Sequence, residues 1–178
     1  MKYEKSKQKI RESFIRLYSK YDINEISIIM LCENSRVSRS TFYRYYSDIY
    51  EVLEEIGNGI LDKFIKIRAN RCRNSFSNTK DYIQELLNCI NQNADFIYCI
   101  LVKERNGLFL CKWKKIIRQD LSEKYTKDHK QGEAILLKLE MIVYGVLGVF
   151  SYWLSHKSSC SDQLVLSALI DIWDHGKI

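Results

Sequence analysis

Not one of the 178 residues is proline, and only seven are glycine. Sandwiches, barrels and hairpins are punctuated by those two residues, whereas helices run without them, so the chain is predicted to be all-α. At this length it holds either one substantial core or a small domain joined to a larger one. A hydrophobic share of 46% beside a charged share of 28% belongs to a folded chain and excludes a disordered one.

Apolar residues at helical spacing mark nine helices. The first runs from Lys2 to Tyr21 and points Ile10, Phe14, Leu17, Tyr18 and Tyr21 inward. Asp22 to Ser27 breaks the pattern. Ser27 then caps a short helix to Asn34, and Ser38 caps a second short helix that turns Phe42 inward. Asp48 and Glu51 have the spacing of a capping box and open a long helix. That helix carries Val52, Leu53, Ile56, Ile60, Phe64 and Ile67 and ends near residue 73, with the joint between domains read at Asn74 to Asn78. Further helices are expected at 79–92, 94–103, 106–128, 131–156 and 161–174. The domains are therefore read as 1–47 and 48–178, with 48–73 as the connecting helix.

The formal net charge of +6 permits a nucleic-acid partner without demanding one, so its distribution matters more than its size. From Ser27 to Leu53 the sequence reads SIIMLCENSRVSRSTFYRYYSDIYEVL, in the order short helix, tight turn, short helix, long helix. A helix fits the DNA major groove, and flanking elements fix its angle through phosphate contacts. The exposed side of the second short helix must then be polar, a demand that Arg39, Ser40, Thr41, Tyr43 and Arg44 meet, behind the cap Ser38.

At these residues the chain resembles the TetR family of transcriptional regulators. Ser27, Leu31, Cys32, Ser35, Val37, Ser38, Thr41, Phe42, Tyr43 and Tyr46 occupy the places of the family signature, which covers about a quarter of the chain. The resemblance implies that Ser27, Ser38, Arg39, Thr41, Tyr43 and Tyr45 lie at the DNA, with the two tyrosines on phosphates and Arg39, Ser40 and Arg44 reading bases. Three positions depart from the signature. Arg36 stands in place of the turn glycine, Tyr45 in place of histidine, and Ile49 where the family has a phosphate-binding lysine. Lys2, Lys5, Lys7 and Lys9 on the first helix are candidates to replace the lost cation.

The family also implies a homodimer held by the last two helices, a palindromic operator, and an effector pocket among the middle helices. Gly145, Gly148, Tyr152, Trp153, Leu166 and Ile170 are the interface candidates. Two glycines inside a helix each cost about 1 kcal/mol against alanine, which calls for a packing reason such as close helix approach. Phe96, Tyr98, Phe109 and Trp113 are the candidates for the pocket, although such residues more often build a core. The expected mode is repression relieved by a small-molecule ligand.

Other chemistries find little support. There is no HExxH, GxSxG or glycine-rich phosphate loop, so no enzyme is expected. The six cysteines include no CxxC pair, and His156 with Cys160 has no further ligands nearby, so neither a disulfide framework nor a metal site or cofactor is expected. The basic run Lys63, Lys66, Arg68, Arg71 and Arg73 reads as a solvated helix face. The charged start MKYEKSKQKIRESF lacks a signal core, and Met141 to Leu154 falls short of the roughly 18 residues of a membrane span, which together suggest a cytoplasmic protein. A helical adaptor that binds only protein would explain the apolar final helices but not Arg39 to Arg44.

Overall fold

The structure is a computed structural model that describes residues 2–72, 78–103, 105–125 and 133–175. Among these, nine α-helices and one 3₁₀ turn make up all the regular structure. They are α1 (Lys2–Tyr18), α2 (Ile28–Ser35), α3 (Arg39–Tyr43), α4 (Ile49–Cys72), α5 (Thr79–Gln92), α6 (Ala94–Leu101), α7 (Gly107–Tyr125), α8 (Glu133–Ser155) and α9 (Asp162–His175). The 3₁₀ turn is Ile23–Glu25.

The chain forms two compact units, Met1–Ile60 and Leu61–Ile178, so the division falls inside α4. In the first unit α1 packs on α2 and α2 on α3. Ile10, Phe14 and Tyr18 of α1, Leu31 of α2, Phe42 of α3 and Val52 of α4 are its most buried apolar side chains. Helix α1 ends at Tyr18, three residues before the sequence pattern fades, and Tyr21 is 41% exposed rather than inward. The cause is local. Asp22 starts the 3₁₀ turn as a capping box with Glu25, whose carboxylate accepts from the Asp22 N–H at 2.8 Å, and this competes with another turn of helix.

The box expected at Asp48 is only half formed. The Glu51 N–H donates to Asp48 Oδ1 at 2.9 Å, but the Glu51 carboxylate reaches back to the N–H and hydroxyl of Ser47, at 2.7 and 3.0 Å.

In the second unit α5 packs on α9 and α6 on α7, while α8 touches α6, α7 and α9. A ladder of rings runs through it. Phe64 stacks on Trp113 at 4.9 Å, Trp113 on Phe150 at 6.0 Å, and Phe109 meets Trp113 edge-on at 5.9 Å. The boundaries of α5 agree with the sequence, and Asn78 is its cap, accepting from the Asp81 N–H at 2.9 Å. The rest of the expected joint, residues 74–77, and the ends expected for helices near 128 and 131 lie outside the described residues.

Helix α8 is apolar on two sides. Leu139, Ile142, Val143, Leu147, Phe150, Trp153 and Leu154 are buried within the chain. Leu137, Met141, Tyr144 and Tyr152, each at least 58% exposed, occupy the other side. By length and composition α8 is long enough and apolar enough to cross a membrane, contrary to the count from Met141, because the helix begins eight residues earlier at Glu133. A third of its most apolar window is buried inside the chain.

Candidate nucleic-acid interface and candidate effector cavity

The helix-turn-helix is built by side-chain caps and one left-handed residue. Ser27 Oγ accepts from the Met30 N–H at 3.1 Å and starts α2. Ser38 Oγ accepts from the Thr41 N–H at 3.2 Å and starts α3. Between them the Val37 N–H bonds the Cys32 carbonyl at 3.1 Å and the Arg36 N–H bonds that of Glu33 at 3.2 Å, the paired pattern of a Schellman stop. The pattern needs a left-handed residue, and Arg36 supplies it at φ 53°, ψ 42°. It is the only non-glycine residue at positive φ among the described residues. A side chain there costs about 1–2 kcal/mol, so the departure from glycine noted in the sequence is a real strain.

Phe42, fully buried, fixes how α3 is turned. At 3.6 residues per turn the positions opposite it are 40 and 44, with 41 and 43 on the flanks and 39 about 120° from that outward direction. Arg44 keeps helical dihedrals, so the wheel extends to it. Ser40 and Arg44 are accordingly exposed, Tyr43 is 57% exposed with its ring edge-on to Phe42, and Thr41 is half-buried with Oγ1 2.8 Å from Ser38 Oγ. Arg39 is exposed, and its charge opposes the rise that burial imposes on the Cys32 thiol of α2. Tyr45 is half-buried, tilted against Tyr46.

The departure at Ile49 and the first-helix lysines also find their places. Ile49 is buried, 7% exposed, so it serves the core of the first unit. Of the first-helix lysines, Lys7 is engaged with Glu55 of α4 at 2.6 Å, beside Arg11 on the same carboxylate at 3.0 Å, whereas Lys5 and Lys9 are exposed.

In the second unit a narrow cavity, with about 50 Å³ open to the centre of a water-sized sphere, is walled by Phe64, Trp113, Phe150 and Trp173. Its polar lining is Arg68, Tyr82 and Asp120. Asp120 is 3% exposed. Its Oδ1 lies 2.5 Å from the Arg71 guanidinium and 3.8 Å from Arg68 Nε, and its Oδ2 accepts from the Tyr82 hydroxyl. Burial, reinforced by the Asp120 charge and hydrogen bond, pushes the Tyr82 phenol well above its ordinary range, so it remains a donor. The Arg71 guanidinium is 5.1 Å from the Tyr82 ring centroid and 4.6 Å from that of Trp173. The basic run is thus not uniformly solvated: Lys63 and Lys66 are exposed, but Arg68 and Arg71 are drawn inward by a carboxylate on α7.

Of the four aromatics proposed for the pocket, only Trp113 lines this cavity. Phe96 and Phe109 are buried against each other, ring to edge at 5.7 Å, and Tyr98 is half-buried. Among the interface candidates, Gly145, Gly148 and Tyr152 are exposed and Ile170 is half-buried. Trp153 and Leu166 are instead buried in the subunit's own core, and Trp153 donates to Asp162 Oδ1 at 3.1 Å. A Cβ added at Gly145 or Gly148 would meet nothing within 4 Å, so the packing reason expected for them is not found inside the chain.

These features define an all-helical protein with an N-terminal helix-turn-helix and a second helical unit that follows it in the sequence. Residues 77–171, more than half of the chain, match the transcriptional regulator C-terminal region of the TetR_C_8 family. The chain belongs to the TetR family of transcriptional regulators. Its fold is similar to that of a TetR transcriptional regulator from Streptococcus agalactiae 2603V, with TM-score 0.70, 19% identity, and coverage of 96% of this chain and 94% of that one. It is also similar to a transcriptional regulator (TerR/AcrR family) from Aquifex aeolicus VF5, with TM-score 0.69, 15% identity, and coverage of 95% and 98%. A third similar fold is the dihydroxyacetone kinase operon activator DhaS, with TM-score 0.61, 17% identity, and coverage of 94% and 93%. No curated protein matches the chain by sequence.

Proposed function

We propose that this chain is a sequence-specific DNA-binding regulator that acts in the cytoplasm as a homodimer, represses transcription, and leaves its operator when a small molecule enters the second unit. Residues 1–47 carry the reading head and 48–178 the regulatory and dimerising part. The observation that carries the reading is the setting of α3: Phe42 is locked in the core while Ser40 and Arg44 face outward and Tyr43 flanks them. In the major groove Arg44 and Ser40 meet base edges, and Thr41, Tyr43, Tyr45 and the caps Ser27 and Ser38 meet the backbone. Arg39, about 120° round α3 from the outward direction, takes a flanking role.

The exposed side of α8 supports the dimer. Leu137, Met141, Tyr144 and Tyr152 recur at spacings of three, four and eight residues and form one stripe with Gly145 and Gly148, which lets a second helix approach closely. Exposed Leu164 on α9 and half-buried Ile170 extend the same kind of surface. A two-fold dimer presents two reading heads about 34 Å apart and requires a palindromic operator.

The cavity beside Asp120 suits a slim apolar effector, which acts by binding one dimer geometry better than the other. The test is selection of bound sequences from a random duplex pool by the purified chain. An enriched inverted repeat is expected. A folded protein that enriches nothing would favour a protein-only adaptor, with the stripe on α8 as its docking face if the chain is a monomer.

A further inference from the structure

We propose that Arg36 is a DNA phosphate contact which this chain holds at the expense of its own stability. The inference rests on the reading above that α2 and α3 form a DNA-reading head. Three observations carry it. Arg36 occupies the left-handed stop of α2, where glycine fits without strain and arginine does not. Its side chain is exposed and has no hydrogen-bond or ion-pair partner among the described residues, so no polar contact among them explains why arginine is there. It also lies two residues before Ser38, the cap of α3, and the N-terminal end of a reading helix is the end that enters the groove between the two phosphate walls.

From Arg36 to Arg44 the sequence RVSRSTFYR contains three guanidiniums and no carboxylate. Within that stretch Arg44 faces outward from α3, and Arg36 lies ahead of the Ser38 cap at its entering end. A guanidinium there meets a phosphate through two parallel N–H donors, a geometry that lysine does not reproduce but a charge that it does. The contact adds affinity and salt dependence and no sequence preference.

The experiment compares the full-length wild type with Arg36→Gly and Arg36→Lys, measuring thermal unfolding and binding to a mixed-sequence duplex across a salt series. Arg36→Gly is expected to melt about 2–4 °C higher, because strain is relieved by more than the added freedom of the unfolded chain costs. The same variant is expected to bind the duplex more weakly, with the slope of log K against log salt shallower by about 1.8 for the two heads of a dimer. Between about 50 and 200 mM salt its affinity should therefore fall about tenfold less than that of the wild type. Arg36→Lys keeps the slope and the strain. An Arg36→Gly protein that melts higher and binds with the wild-type slope overturns the proposal while leaving the DNA reading intact. A folded wild type that retains no duplex at low salt removes the DNA reading, and the proposal with it.

Discussion

Arg71 of α4 holds its guanidinium 2.5 Å from the buried carboxylate of Asp120 on α7 and over the rings of Tyr82 and Trp173. Removing one partner of a buried ion pair leaves a charge without compensation, which typically costs about 3–5 kcal/mol. Here the Arg71 side chain is 25% exposed and Arg68 stays 3.8 Å from the same carboxylate, so the cost is smaller. Arg71→Leu is expected to destabilise the chain by about 2–3 kcal/mol in urea unfolding. A loss under about 0.5 kcal/mol would mean that water or Arg68 replaces the contact in full.

Tyr82 gives the stability an alkaline limit. Its folded phenol is raised above the unfolded value, so its contribution is intact below about pH 10 and is lost as pH climbs towards the folded value. Each such group takes about 1.4 kcal/mol per pH unit over that window. The buried thiols of Cys32, Cys89 and Cys99 are raised too and add in the same direction. Unfolding free energies measured from about pH 9 to 11 should decline less steeply for Tyr82→Phe than for the wild type. Parallel declines would assign the effect to the other groups.

The proposed dimer is testable without DNA. Met141 is 63% exposed, so Met141→Glu should leave the subunit folded, with unchanged helical circular dichroism, while sedimentation shows a monomer. Trp153 makes the contrasting case. Its side chain is wholly buried, and Trp153→Ala should cost about 3–5 kcal/mol of stability whatever the oligomeric state. Retention of the dimer by Met141→Glu would move the interface away from α8.

Within the reading head the flank and the tip of α3 should separate. Tyr43→Ala is expected to weaken binding to every duplex by a similar factor. Arg44→Ala should flatten preference at one position of each half-site by about 1–3 kcal/mol, with guanine the base whose advantage is lost. Equal losses on selected and random duplexes for both variants would refute the assignment of Arg44 as a base reader.

The helix-turn-helix was legible because its signals are short-range. Ser27 and Ser38 cap their helices through the third residue onward, and the stop at Arg36 is completed within five residues, so a linear pattern contains nearly all of it. Asp120 was not legible, since its partners Arg71 and Tyr82 lie 49 and 38 residues away and only packing brings them together. The same limit applies to α8. With apolar residues on both sides, its sequence does not say which side meets its own core, and nothing in the pattern separates buried Trp153 from exposed Tyr152. The 3₁₀ turn at Ile23–Glu25 was hidden for another reason, its capping pair being spent on a single turn.

The stripe on α8 also bears on how such a protein is made and kept. A newly synthesised copy displays Leu137, Met141, Tyr144 and Tyr152 to its surroundings, and on the proposed dimer it is open to self-association, chaperone capture and proteolysis until a twin covers them. Pairing is second order in concentration, so the surviving amount falls faster than the rate of synthesis when synthesis slows. On the proposed dimer, a scarce regulator would thus be cleared disproportionately, and the sharpness of its withdrawal would come from the surface of one helix.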